Sequence, residues 1–185
     1  ARNSNRPYNG VVNNSINEKL GKLFKRTQAR AYGQVTNRQR IHLIEVEDLV
    51  DDGVDHINVS YVAKTELGQL LSTSCCHKFK LFDIEFRSID NMLLYFQMHC
   101  MIPEAAHVNL SGMRAIRRKA PMGLPRLRNI HALVCGAYFE IFKANPELIE
   151  AIEQNQLPFD SYNFAEDQSR YRHLTKARKT IQAIM

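Results

Sequence analysis

The chain has 185 residues, of which 44% are apolar and 24% are charged, and this is the composition of one globular domain with its own core. No apolar run approaches the roughly 20 residues that a membrane-spanning helix needs, and we expect neither membrane association nor a secretory signal. The net charge of +6 favours partners that carry phosphate or other negative charge.

The cysteines favour a reducing compartment, and we expect a cytoplasmic protein. The chain contains four of them: Cys75, Cys76, Cys100 and Cys135. Adjacent Cys75 and Cys76 are not typical of a disulfide framework. Zinc ligands are usually separated by two to four other residues, a spacing that the Cys75-Cys76-His77 run lacks. We therefore predict buried thiols and no metal, with a metal site or Cys–His catalysis as the lesser alternatives.

The first third of the chain predicts an arm, a helix and strands. Residues 1–13 are polar and are interpreted as a flexible arm. Residues 14–65 are expected to join one domain with a core of residues 66–185. Ser15 and Glu18 have the spacing of a capping box. Apolar residues then recur at helical intervals: Ile16, Leu20, Leu23 and Phe24.

The other face of this first helix is basic. It carries four cations: Lys19, Lys22, Lys25 and Arg26. A solvated surface is the interpretation that we prefer, and a nucleic-acid-binding arm is the alternative.

Strand signals come before most of the remaining helices. Residues 41–46 and 56–62 are predicted strands, the second because it alternates apolar and polar side chains, and residues 51–53 are a predicted turn. Residues 78–81 and 84–87 predict a β-hairpin that turns at Phe82 and Asp83.

The last part of the chain is predicted to be helical. Ser88 is expected to cap a helix to about Cys100, Ser111 to cap a second, Pro125 to begin a long helix to about Lys143, Pro146 to begin another, and Asp167 to begin a last one to about Ile184. Strands first and helices afterwards predict an α+β fold, a mostly helical single domain with a small antiparallel hairpin.

The densest charge feature is a basic cluster near the middle of the chain. Its members are Arg114, Arg117, Arg118, Lys119, Arg126 and Arg128. The first three are three and four positions apart, so they share one helix face, and the arginine fork matches phosphate oxygens. The cluster suits a nucleotide pyrophosphate or a nucleic-acid backbone, and a solvated basic face is the alternative.

Asp90 and Gln97 are separated by seven positions, or two helical turns, and therefore lie on one helix face. An acid in the first turn favours the helix dipole, which explains Asp90 without any function. Two polar groups on a face otherwise made of Leu94 and its neighbours could instead line a pocket.

Five segments, in this order, resemble the NADAR family of N-glycosidases. They are the Leu-Ser-Thr of residues 71–73 followed by the hairpin, the helix of residues 90–98, the basic run of residues 113–119, the Phe-Lys-Ala-Asn-Pro-Glu-Leu of residues 142–148, and the His-Leu-Thr-Lys-Ala-Arg of residues 173–178. The resemblance covers roughly residues 66–184 and implies the NADAR fold. Members occur in bacteria, eukaryotes and phages, and the divergence of this chain favours a phage-encoded member that acts in the host cytoplasm.

The resemblance also implies an activity. Members hydrolyse N-glycosidic bonds of ADP-ribosylated nucleobases or of ribose-phosphate amines, and no metal or organic cofactor is expected. A carboxylate can stabilise the oxocarbenium charge that develops on the ribose or can activate a water, by analogy with glycoside hydrolysis. In this chain Asp90 and Gln97 take the catalytic positions. Ligand-binding positions fall on Thr73, Arg114, Arg117, Arg118, Lys119, Arg126 and Tyr162.

This chain departs from the family pattern at the catalytic and ligand-binding positions. Asp90 replaces a Glu and is one methylene shorter, Gln97 replaces a Lys, and Thr73 replaces an Asn. The chain also has no Trp, which the family usually carries near the ligand. A shift of about 1 Å in a catalytic group can lower a rate about a hundredfold. Three hypotheses follow: a ligand binder whose activity is altered or lost, an active N-glycosidase, and a nucleic-acid-binding module that uses residues 19–40 and 114–128.

Overall fold

The computed structural model describes residues 14–31, 52–54, 56–61, 63–120 and 123–160. Its elements, in chain order, are α1 Asn14–Ala31, β1 Ile57–Asn58, α2 Glu66–Leu70, β2 Phe79–Leu81, β3 Ile84–Phe86, α3 Ile89–Gln97, a 3-10 helix Pro103–Ala106, α4 Leu110–Arg118, α5 Ile130–Ala144, α6 Pro146–Gln154 and β4 Phe159–Asp160. Helices dominate and a two-stranded antiparallel sheet accompanies them, which confirms the α+β class in general terms. The arm of residues 1–13, the strand of residues 41–46 and the helix of residues 167–184 lie outside the described residues.

The predicted first helix is confirmed, and it continues beyond Arg26 to the end of α1. Its apolar stripe is buried at Ile16, Leu20 and Leu23. The basic face is exposed, and several of its cations have partners. Lys19 forms an ion pair with Glu150 of α6 at 3.4 Å, Lys22 pairs with Glu18 at 2.9 Å, and Arg26 donates to the Asn145 side chain at 3.3 Å. These contacts favour a solvated, structural face over a nucleic-acid arm.

Helix α5 lies at the centre of the main core and packs against the β2–β3 hairpin, α3 and α6. Its buried residues are Leu133, Val134, Ala137, Tyr138, Ile141 and Phe142. The Tyr138 hydroxyl donates to the carbonyl oxygen of Leu71 at 2.6 Å, so this buried phenol has the partner that it needs. A second, smaller cluster contains Leu94, Ala105, Met113 and Ile116. Helix α3 lies between the two, because Leu93 belongs to the main core and Leu94 to the second cluster.

The predicted hairpin is confirmed with its turn at Phe82 and Asp83. Both residues have positive φ, 52° and 61°, which is characteristic of the type I′ turn that joins tightly paired strands. Phe79 lies opposite Phe86, with ring centroids 5.6 Å apart on the buried face. Residues Lys80 and Glu85 lie opposite each other on the exposed face.

The alternation predicted for residues 56–62 is wrong. Asn58 and Ser60 are both 0% exposed, so they are buried as fully as Ile57. The strand is only two residues long, and it pairs in parallel with β4, which covers it from a distant part of the chain. The Asp52 carboxylate compensates part of this polar burial, because it accepts from the backbone N–H of Asn58 at 2.8 Å and of Lys64 at 2.7 Å.

Ser88 caps α3 as predicted, and its hydroxyl accepts from the N–H of Asn91. The helix ends at Gln97, before the predicted Cys100. His99 has a φ of 53°, and the N–H groups of His99 and Cys100 donate back to Phe96 and Tyr95, both at 3.0 Å. This is the Schellman pattern, which satisfies the last carbonyls and stops the helix.

Two predicted helix starts are wrong. Asn109, and not Ser111, caps α4, because its side chain accepts from the Gly112 N–H at 2.9 Å. The long helix α5 begins at Ile130 and not at Pro125. Leu124 packs on the second cluster and Leu127 on the main core, and the segment between them contains neither helix nor strand.

The predicted helix that begins at Pro146 is confirmed, with the proline in its first turn. Among the helices in the described part of the chain, none combines the length and the apolar character that would let it cross a membrane.

His77 is buried and its Nε2 atom lies 2.7 Å from the Leu70 carbonyl oxygen, so the neutral ring donates this hydrogen bond. Burial lowers the pKa of His77 from its ordinary 6.5 to about 4. Between these two values the unfolded chain binds a proton that the folded chain excludes. The folded state therefore becomes less stable as the pH falls from about 6.5 to 4, by about 3 kcal/mol in total from this residue.

We expect the substitution His77→Gln to remove this pH dependence, because the glutamine amide can still donate to Leu70 but does not titrate. The measurement is urea unfolding at pH 7 and at pH 4.5. The exposed His107→Gln is the matched control and should keep the wild-type difference between the two pH values. An undiminished difference in His77→Gln would show that another group titrates on unfolding.

Glycine is required at position 68 by packing. A Cβ atom there would overlap the carbonyl oxygen of Asn58 and would lie 2.9 Å from both Ala63 Cβ and Thr65 Oγ1. Helix α2 can lie against β1 only because this side chain is missing. Gly136 in α5 is different, since an added Cβ would meet Leu81 at an ordinary 3.6 Å.

We expect Gly68→Ala to destabilise the fold by roughly 1–3 kcal/mol or more through overpacking. Gly136→Ala should stabilise it by about 0.5–1 kcal/mol, because alanine loses less backbone entropy inside a helix. Chemical denaturation of both variants measures the two free energies of unfolding. Equal stability of Gly68→Ala and the wild type would contradict the close approach of α2 and β1.

Candidate functional site

Two of the predicted site residues, Thr73 and Asp90, are neighbours in space. The backbone N–H of Asp90 donates to the carbonyl oxygen of Thr73 at 2.9 Å, which docks the segment after α2 on the first turn of α3. Both residues are half-buried. The Asp90 carboxylate lies in the first turn of α3, where the helix dipole favours its negative charge.

Sequence reasoning missed Asn91, which holds this end of α3 in place. Its side chain is 1% exposed. The Ser88 hydroxyl donates to its Oδ1 at 2.7 Å, and its Nδ2 donates to the carbonyls of Ala105 and Val108, both at 2.9 Å. The only local signal is an asparagine three positions after the capping serine, and the partners are more than ten residues away.

Gln97 lies at the other end of α3. Its side-chain amide donates to the carbonyl oxygen of Pro125 at 3.3 Å, which ties α3 to the segment that carries Arg126. The Cα atoms of Asp90 and Gln97 are about 10 Å apart, since each helical residue rises about 1.5 Å. Leu93 and Leu94, which lie between them on this face, are buried in the two clusters. The two polar side chains therefore lie at opposite ends of a helix face whose middle is buried in the protein core.

The basic cluster forms an exposed surface. Met113 and Ile116 are the buried residues of α4, so its cations face solvent. The exposed members are Arg114, Arg117, Arg118, Lys119, Arg126 and Arg128. None of these six forms an ion pair with a carboxylate of the residues that the structure describes. Their summed field would attract an anion from solution.

The predicted ligand-binding residue Tyr162 lies outside the described residues. Of the remaining predicted positions, Thr73 and Asp90 are joined at the start of α3. Gln97 and the segment of Arg126 are joined at its end. The hydrogen bond from Gln97 to Pro125 therefore joins the end of α3 to the segment that carries Arg126.

The predicted buried thiols are confirmed at Cys75 and Cys76. Burial raises the pKa of the Cys75 thiol to about 12, so it is protonated at neutral pH. The neighbouring His77 is a buried neutral imidazole. This Cys–His pair therefore lacks the thiolate that nucleophilic catalysis requires. Within the described part of the chain, no group of three or more His, Cys, Asp or Glu side chains is placed to hold a metal ion.

A pocket of about 350 Å³ lies where the open end of the hairpin meets the turn after the 3-10 helix. Its lining residues are Cys76, Lys78, Glu85, Arg87 and His107. Sequence reasoning assigned none of them to a site. The signal that could have found them is the pair of cations Lys78 and Arg87, which flank the two predicted strands.

Comparison of the chain with protein-family models, with curated proteins and with solved structures gives no match. The resemblance to the NADAR family therefore rests on the five sequence segments, and it stays a prediction.

The Asn91 contacts lead to a test of what holds α3. We expect Asn91→Ala to destabilise the fold by about 2–3 kcal/mol, because two buried carbonyls lose their donor. Asn91→Asp should cost more, since it keeps the shape but points an oxygen at both carbonyls. Urea unfolding measures both free energies.

The matched control for these variants is Asn109→Ala, which removes an exposed helix cap and should cost only about 1 kcal/mol. If Asn91→Asp unfolds at the wild-type urea concentration, the two bonds to Ala105 and Val108 do not hold α3.

Proposed function

We propose that this protein is a divergent relative of the NADAR family that binds an ADP-ribosyl or other nucleotide-like ligand, with its N-glycosidase activity altered or lost. The observation that carries the proposal is the exposed basic cluster of residues 114–128, which has no ion-pair partner among the described residues. Six exposed cations within fifteen positions suit a pyrophosphate, because each phosphate oxygen can accept charge-assisted hydrogen bonds.

In this proposal Arg114, Arg117 and Arg118 hold the phosphates. Arg126 and Gln97 contact the adjoining ribose, since the bond from Gln97 to Pro125 places that side chain beside the basic segment. Lys119 adds charge at the end of α4. We place the protein in the cytoplasm, which suits four cysteines that are all reduced thiols.

Altered or lost catalysis is supported by the residue types at the two family positions. Asp90 is one methylene shorter than the family's Glu, and a shift of about 1 Å in a catalytic group can lower a rate about a hundredfold. Gln97 lacks the amine of the family's Lys, and its amide donates to the carbonyl oxygen of Pro125.

The test is a thermal-shift titration with ADP-ribose. At a concentration one hundred times the Kd, a ligand that binds only the folded state should raise the Tm by roughly 5–10 °C in a chain of this size. We expect this rise in the wild type, its loss in Arg118→Ala, and its retention in Asp90→Ala. Lys22→Ala, an exposed cation of α1, is the control that should bind normally.

Product analysis on ADP-ribosylated nucleic acid separates the binder from the active enzyme. Release of a base or of ADP-ribose that Asp90→Ala abolishes would favour the active N-glycosidase. Absence of any thermal shift at millimolar ADP-ribose would overturn the nucleotide-binding proposal.

The same exposed cations favour one second candidate, a nucleic-acid-binding surface on α4 and residues 123–128. Binding of this kind weakens as the salt concentration rises, because each neutralised phosphate of a duplex contributes about 0.9 to the slope of log K against log salt. Binding to duplex DNA with a steep slope, reduced by about one unit in Arg118→Ala, would support this candidate.

A further inference from the structure

The pocket at the open end of the hairpin brings two cations together, Lys78 and Arg87. The register of the hairpin pairs Phe79 with Phe86 and Lys80 with Glu85. One step beyond the last pair, the same register sets Lys78 opposite Arg87. Like charges directly opposite each other destabilise an antiparallel pair, whereas the next pair along the exposed face combines opposite charges. Both cations line the pocket.

Two hydrogen bonds within the described residues help to hold Arg87 in place. Its backbone N–H donates to the carbonyl oxygen of Ala106 at 2.9 Å, and its Nε donates to the buried Cys76 sulfur at 3.4 Å. Because His107 follows Ala106 directly, the first of these bonds also brings the backbone of His107 to this side of the hairpin. A guanidinium that is anchored in this way loses little freedom when it binds an anion.

Glu85 is the carboxylate among the described residues of the lining, and it does not close the pocket to anions. It forms an ion pair with Lys78 at 3.7 Å, and both side chains are more than half exposed. Exposed pairs of this kind contribute at most about 1 kcal/mol and exchange readily with solvent ions. An anion in the pocket can therefore replace Glu85 as the partner of Lys78 at a small cost in free energy.

We propose that this pocket binds a phosphate group, either as inorganic phosphate or as the phosphate of a small monoester. Lys78, Arg87 and His107 supply nitrogen donors on its walls, and the guanidinium fork matches two phosphate oxygens. Its 350 Å³ lie near the lower end of the range for small-molecule pockets, about 300–1,000 Å³, so the pocket takes a sugar phosphate or a mononucleotide at most. No residue is shared with the basic cluster, so the proposal does not depend on the nucleotide-binding function.

Calorimetric titration of the full chain with inorganic phosphate, in a phosphate-free buffer of low ionic strength, tests the proposal. We expect saturable binding that weakens about tenfold in Lys78→Met and at least as much in Arg87→Gln, because each removes a charge-assisted bond. Lys78 is exposed, so Lys78→Met should fold even if Arg87→Gln does not. The control is Lys80→Met, which removes the next cation on the same face of the hairpin and should bind phosphate as the wild type does.

Three results would overturn the proposal: no saturable binding by the wild type, unchanged affinity in Lys78→Met, or an equal loss in Lys80→Met. A parallel titration with ribose 5-phosphate distinguishes the two sources of the phosphate. Tighter binding of the sugar phosphate identifies a monoester site, and tighter binding of inorganic phosphate identifies a site for the free anion. Loss of ADP-ribose binding in Arg118→Ala concerns the basic cluster alone, so failures of the two proposals are distinguishable.

Discussion

The buried amide of Asn91 joins α3 to the turn that follows it, because its Nδ2 donates to the carbonyls of both Ala105 and Val108. An unsatisfied buried carbonyl costs roughly 1–3 kcal/mol, so this one side chain fixes the position of the whole 3-10 segment. Residues of two candidate sites adjoin that junction. Asp90 precedes Asn91 and is bonded to Thr73, while His107 lies between the two bonded carbonyls and enters the hairpin pocket.

The same junction separates the two hydrophobic clusters. Helix α3 contributes Leu93 to the main core and Leu94 to the second cluster, which supports α4 through Met113 and Ile116. Burial of this face directs the α4 arginines outward, so the basic surface is a consequence of how the second cluster packs. The two groups of cations therefore differ in how many of their charges are paired. The cations of α1 include three with carboxylate or amide partners, whereas those of residues 114–128 have no ion-pair partner among the described residues.

The elements predicted correctly are those whose signals are local. The stripe of α1 repeats at three and four residues, Ser88 lies three positions before the N–H that it accepts, and the hairpin needs only a two-residue turn. One failure was local, because Asn109 and not Ser111 caps α4, and other failures involved distant contacts. Pro125 is a good first residue for a helix, but Leu124 and Leu127 pack on different clusters, and the segment between them is not helical. The pairing of β1 with β4 joins residues about a hundred positions apart, and no local pattern encodes such a contact.

The sequence by itself determined the helical character, the hairpin, the buried thiols of Cys75 and Cys76 and the exposed basic face of α4, because each depends on side chains within a few residues of one another. It also placed Asp90 and Gln97 on one helix face, since that follows from helical periodicity alone. Only the tertiary structure decided what surrounds them: Thr73 at one end, Pro125 at the other, and buried leucines between. The phosphate pocket likewise required the fold, because Cys76, Arg87 and His107 come together only when the hairpin and the turn beyond α3 are bonded to each other.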